Sequence, residues 1–167
     1  MTYTWPLYFC LFLALWSAIV GGVFSAFSEF IMSALLKARP EAGIEAMQHI
    51  NRDVIKTQFV AGILSIAVFS VLFTLYGIAV FEGAALITLI LASAVYLPSV
   101  FFMTMIGNVP MNNRLEALDH TSAEAHAYWP EYGRKWTRLN HYRSLGSVLT
   151  AGLYLIAAIT LVTSGQV

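Results

Sequence analysis

Apolar residues fall into four runs, roughly 5–32, 59–81, 84–106 and 144–162, separated by polar stretches of very unequal length. Each run reaches the ~20 residues that cross ~30 Å of hydrocarbon at 1.5 Å per residue. Barrel strands would be about ten residues long and alternating, so helices are the reading that satisfies the backbone in lipid. The pattern predicts an all-α, integral membrane four-helix bundle, with residues 1–167 forming a single domain. The first run has no basic flank and exceeds the ~7–15 apolar residues of a signal peptide, so it is expected to be a retained membrane helix.

The polar stretches carry helix signals of their own. Pro40-Glu41 suits a first helical turn, because proline's fixed φ and missing N–H cost nothing there. From it Met47, Ile50, Asn51, Val54 and Gln58 share one face that is expected to run on into the second span. Thr121 to Glu124 has the form of a capping box, opening a helix that continues through Pro130, with a kink, into the fourth span. The fold is therefore expected to carry helical extensions at one end.

Composition sharpens this picture. Of 167 residues 59% are apolar and 11% charged, with mean hydropathy +0.72; a soluble domain carries about a quarter charged residues. Nine basic and nine acidic residues cancel, which leaves no basic face for nucleic acid. All nine Lys and Arg lie in the first and third connections, at 37–56 and 114–143, and none in the termini or at Glu82-Gly83. By the positive-inside rule both long connections are cytoplasmic and both termini outside, in an inner membrane. Tyr3, Trp5, Tyr8 and Tyr154 would then mark the outer interface. The lone Cys10 excludes an intramolecular disulfide and is expected to pack inertly.

Candidate chemistry follows the polar end. Glu29 is the only acid inside a span. It extends the row Ser17, Gly21, Ser25, which runs beside a second row Ala18, Gly22, Ala26; such small-residue rows let helices approach. An intramembrane carboxylate is expensive and marks function, unless it simply ends a long span beside Lys37 or Arg52. Asn108 and Asn112 are four apart and share a face, although Asn108 could merely cap a short helix starting near Pro110. Trp129, Tyr132, Trp136, Asn140 and Arg143 form one helical stripe that could line a pocket for a flat, polar-edged molecule, or form an aromatic belt with a snorkelling Arg. His141 sits one residue off that stripe and is the candidate base. His49, His141 and Glu29 are the conceivable metal ligands, without a close-spaced ligand motif.

The run GNVPMNNRL from Gly107 to Leu115, followed by Trp129, Trp136, Asn140, His141 and Arg143, resembles the anthrone oxygenase-like family of small four-span membrane proteins. The end of the first span around Glu29 and the stretch from Ala46 through Asn51 to Arg52 resemble it too. The resemblance implies oxidation of an activated methylene in a polycyclic, anthrone-like phenol to a ketone by O₂ at the cytoplasmic membrane face. His141 would take the proton, with Glu29 positioning it or serving as the base itself, and Arg143 with Asn140 and Asn112 would hold the enolate, Asn108 being a further catalytic candidate. Asn51, Trp129, Tyr132 and Trp136 would hold the ring. The partners so implied are the lipid bilayer, a hydrophobic substrate and O₂, with a homo-oligomer compatible. No cofactor is expected if the substrate supplies the electrons. Three alternatives stand beside this one: a small proton-coupled transporter using Glu29, a metal- or haem-dependent oxidoreductase using His49 and His141, and a non-catalytic partner subunit.

Overall fold

A computed structural model describes residues 4–167, which form five helices and no strand. They are α1 (Trp5–Lys37), α2 (Pro40–Val54), α3 (Gln58–Val80), α4 (Gly83–Glu116) and α5 (Ala123–Thr163). All but α2 are long and apolar enough to cross a membrane, as a multi-span membrane protein requires. Their outward faces are apolar, with Leu15, Leu72, Leu75 and Ile159 among the side chains left exposed. A soluble protein would not tolerate such a band; lipid makes it favourable. Tyr3 lies outside the described residues.

The helices outrun the apolar segments read from sequence. At 41 residues α5 is roughly 60 Å long, so its first half projects beyond a bilayer. There it packs with α2 and the end of α4 around Met32, Ile44, Met47, Leu115, Trp129 and Tyr132. Both long connections thus gather at one end of the bundle. At the other end Gln166 accepts from the Glu82 N–H at 3.0 Å, tying the tail of α5 to the tight α3–α4 turn. Gly83 there has φ +58°, a left-handed conformation suited to glycine.

Three expectations about local structure are corrected. The α2 helix ends at Val54, and a turn over residues 55–57 separates it from α3, so the shared face does not run on. The cap of α5 is Ser122, whose hydroxyl accepts from the Ala125 N–H at 3.1 Å; Thr121 instead donates backbone and hydroxyl hydrogen bonds to Asp119. Those bonds, the backbone one foremost, hold the Asp119 carboxyl below its usual range. Tyr154 is buried, donating to Ser70 Oγ at 2.8 Å, and so belongs to the bundle centre, whereas Trp5 and Tyr8 are exposed. Cys10 is fully buried among Leu13, Phe73 and Leu89.

Of the two small-residue rows, the Ser17–Gly21 row faces the bundle. A Cβ on Gly21 would sit 3.2 Å from Ser147 Cβ, whereas one on Gly22 would meet nothing within 4 Å. Glu29 does not continue the row, because α1 passes through a π-helical turn at Phe27–Ile31. Its wider turn rotates everything beyond it, and Glu29 emerges exposed. A second, longer π segment, Leu97–Asn108, lies in α4.

A close helix approach joins α4 to α5 at Gly146, where an added Cβ would lie 2.7 Å from Ser99 Cβ. Gly146→Ala is expected to lower stability by about 1–3 kcal/mol through overpacking, despite alanine's better helix propensity. Gly22→Ala should be neutral or stabilising. Equal melting temperatures for the two variants would show that the α4–α5 contact is looser than described.

Candidate active site

The polar end of the bundle encloses a cavity of about 410 Å³, within the ~300–1,000 Å³ usual for small-molecule sites. Most of its wall is apolar. Phe24 and Phe27 of α1, Phe59 and Ile63 of α3, and Phe101 and Met105 of α4 form the sides, and Met47 and Ile50 of α2 form a cover. Both π segments border it: Phe27 belongs to one, and Phe101, Thr104, Met105 and Asn108 to the other. A widened turn displaces side chains from the regular α-helical register, which opens space that straight helices would fill.

Against this apolar wall stand Asn51, Thr104, Asn108, Asn112 and Arg143, with Trp136 beside them, while exposed Arg52, Asn113 and Glu116 complete the polar lining. Arg143 is 5% exposed and forms no ion pair among the described residues. Its guanidinium donates to Asn140 Oδ1 at 2.6 Å and weakly to Thr104 Oγ1 at 3.4 Å. It lies over the Phe24 ring at 4.3 Å and the Trp136 ring at 5.1 Å. Its Nε has no protein partner, and neither do Asn51 Nδ2 and Asn108 Oδ1. Burying a cation without a counter-charge costs several kcal/mol, so this guanidinium is an electrostatically unsatisfied group at the cavity wall.

The amides are aimed by their neighbours. Asn112 Oδ1 accepts from both Tyr132 OH and Trp136 Nε1, each at 2.9 Å, which leaves its Nδ2 as a donor for the cavity. Asn108 donates to the Trp136 carbonyl at 3.3 Å and does not cap its helix; the capping reading of that residue fails. Asn140 donates to the Phe24 carbonyl at 2.6 Å and Ser28 Oγ at 2.7 Å while accepting from Arg143. It is fully buried behind the guanidinium and joins α5 to the start of the π turn.

The stripe read from sequence is real, and all five of its members are buried. Its roles divide, however. Arg143 and Trp136 face the cavity, Asn140 and Tyr132 position them, and Trp129 stacks on Tyr132 at 5.5 Å within the cover. Glu29 and His141 are both exposed and line no part of the cavity. One residue off the stripe is about 100° around the helix, which turns His141 to the outer face. His49 is exposed on α2, and among the described residues no three His, Cys, Asp or Glu side chains lie close enough to hold a metal. The trio Glu29, His49 and His141 is therefore not assembled, and neither is a centre joining Glu29 and His141 to the asparagines.

One cavity carboxylate lies outside the set predicted from sequence. Glu116 lines the cavity mouth, held by Arg52 at 2.5 Å. It continues Asn108 and Asn112 by four more residues, a spacing visible in the sequence once that face is taken as the site.

The sequence pattern of the anthrone oxygenase family matches residues 52–153. That span contains Glu116, Asn108, Asn112, Trp136, Asn140 and Arg143, and begins one residue after Asn51. No curated protein and no solved structure matches the chain. With more than half of its length matched, the chain belongs to the anthrone oxygenase family.

Proposed function

We propose that the protein is a membrane-bound oxygenase that converts an activated methylene of a polycyclic, anthrone-like phenol to a ketone with O₂. The observation that carries this reading is Arg143, a buried cation without a counter-ion, at the polar end of an apolar cavity. A planar aromatic whose oxygen becomes anionic during reaction meets both halves of that description. Arg143, Asn51 and Asn112 donate to the developing oxyanion, and Asn108 Oδ1 accepts from a phenolic hydroxyl. Preorganised donors of this type are worth about 10²–10³-fold in rate.

The proton leaves the methylene for Glu116, the only carboxylate lining the cavity among the described residues. In an anthrone the methylene lies across the central ring from the carbonyl. A ring anchored at Arg143 by its oxygen thus turns the methylene toward the mouth. The resulting enolate gives an electron to O₂, and the radical pair combines in a C–O bond to form a peroxide, which Glu116 reprotonates. Loss of the second C–H proton with O–O cleavage then yields the ketone and water. The sum is R₂CH₂ + O₂ → R₂C=O + H₂O, with all four electrons drawn from the substrate.

Substrate entry follows from the way α3 and α4 separate. Toward the termini they are joined by Thr74–Ser93, Ser93–Ser70 and Tyr96–Ile63 hydrogen bonds. Beyond Ile63 the cavity lies between them, where its lining residues Leu64 and Met105 are exposed on the outer face. A membrane-dissolved phenol enters there from the lipid. We place this end of the bundle, with its nine Lys and Arg, on the cytoplasmic side of the inner membrane.

The test is O₂ uptake by the purified protein with an anthrone, corrected for autoxidation. One O₂ consumed per quinone formed is expected, with His141→Ala turning over as the parent does. Uptake no faster than the background, or its loss in His141→Ala, would overturn this reading.

A further inference from the structure

A second concavity, of about 430 Å³, lies on the outside of the bundle between α1 and α5. Lys37, Arg134, Arg138 and His141 line it, together with the hydroxyls of Ser28, Ser33 and Thr137. Among the described residues no acidic side chain lines it. The ion pairs among the described residues engage none of these four bases, and the nearby Glu131 is held by Lys135 at 2.6 Å. The floor is tight, because a Cβ on Gly133 would lie 2.6 Å from Leu36 Cδ2, so the groove is set by packing of the two helices. Three cations, an imidazole and three hydroxyl donors with no acceptor of negative sign make a site for a polyoxyanion. Arg supplies the forked donors that match phosphate oxygens.

The position of the groove selects among phosphates. Exposed Phe30 stands among the groove residues of α1, and toward the termini along α5 exposed Tyr142 and Leu145 follow His141, which together make an apolar border. We propose that this groove binds the phosphate of an anionic glycerophospholipid, with the acyl chains lying along that border. The site is separate from the oxygenase cavity and stands whether or not that reaction is correct. Each basic contact at a membrane surface contributes on the order of 1 kcal/mol, so removing two arginines should weaken retention about tenfold or more.

Native mass spectrometry of the delipidated protein with added phosphatidylglycerol, phosphatidylcholine or inorganic phosphate tests this. The parent should retain phosphatidylglycerol, and Arg134→Gln/Arg138→Gln should lose it at least tenfold. Arg39→Gln/Lys56→Gln, which removes equal charge from exposed positions at the same end, should retain it. Arg138→Gln alone serves should the double variant fold poorly, with a smaller loss expected. Equal loss in the Arg39/Lys56 variant, or equal retention of phosphatidylcholine, would overturn the proposal. Displacement of the lipid by inorganic phosphate at equal concentration would overturn the headgroup assignment in favour of a soluble phosphate compound.

Discussion

Arg143→Met is expected to cut anthrone turnover about 100–1,000-fold while the melting temperature stays the same or rises. The two halves of this result have one cause. In the resting protein the guanidinium is buried against Phe24 and Trp136 with a single strong hydrogen bond, to Asn140, and no carboxylate. Its desolvation is a standing cost to folding, and a methionine of similar length removes that cost while keeping the packing. In the proposed reaction the same charge would face a forming enolate in a medium of low dielectric, where it is worth most. A structural arginine would behave oppositely, since its loss would lower stability and spare turnover. Thermal melting and O₂ uptake measured on one preparation separate the two cases.

Asn112→Leu should have the largest effect on folding, a loss of about 2–5 kcal/mol, because two buried donors lose their shared acceptor. Tyr132 OH and Trp136 Nε1 both donate to Asn112 Oδ1 at 2.9 Å, and Tyr132 is fully buried. Neither has another acceptor among the described residues. Asn112→Asp offers the contrast. Its carboxylate still accepts both bonds, so the fold should persist, but the cavity loses an N–H donor and gains an anion facing Arg143. Turnover should then fall about as far as in Arg143→Met. Equal stability for the Leu variant and the parent, in chemical denaturation, would mean that the Tyr132–Asn112–Trp136 bridge does not hold the end of α4 against α5.

The membrane spans were legible because lipid imposes a simple rule on composition, and the four apolar runs obey it. The stripe from Trp129 to Arg143 was legible for a similar reason, since 3.6-residue periodicity carries straight through the long α5. What sequence did not disclose is the phase of α1. The spacing Ser17, Gly21, Ser25, Glu29 is a straight α-helical row, and only the π turn at Phe27–Ile31 throws Glu29 off it. Such a turn has no compositional signature of its own; here it coincides with Asn140 donating to the Phe24 carbonyl across the helix interface, a tertiary contact. His141 drew attention by chemistry, as the residue able to act as a base near neutrality, although its one-residue offset from the stripe already pointed outward. Glu116 carries no signal of its own in the sequence, because a carboxylate in a polar connection, followed by Asp119, reads as ordinary surface. The α2 cover, which brings Arg52 to Glu116 and Asn51 to the asparagines of α4, is what turns it toward the cavity.

A structure of the protein with a hydroxylated anthraquinone bound would bear most directly on these conclusions. The ring should lie between Phe24, Phe101 and Met47, with one ring oxygen at hydrogen-bond distance, ~3 Å, from Arg143 and an amide of Asn51 or Asn112. An aromatic ligand seated elsewhere on the molecule, with Arg143 still unpaired in an empty or lipid-filled cavity, would contradict them.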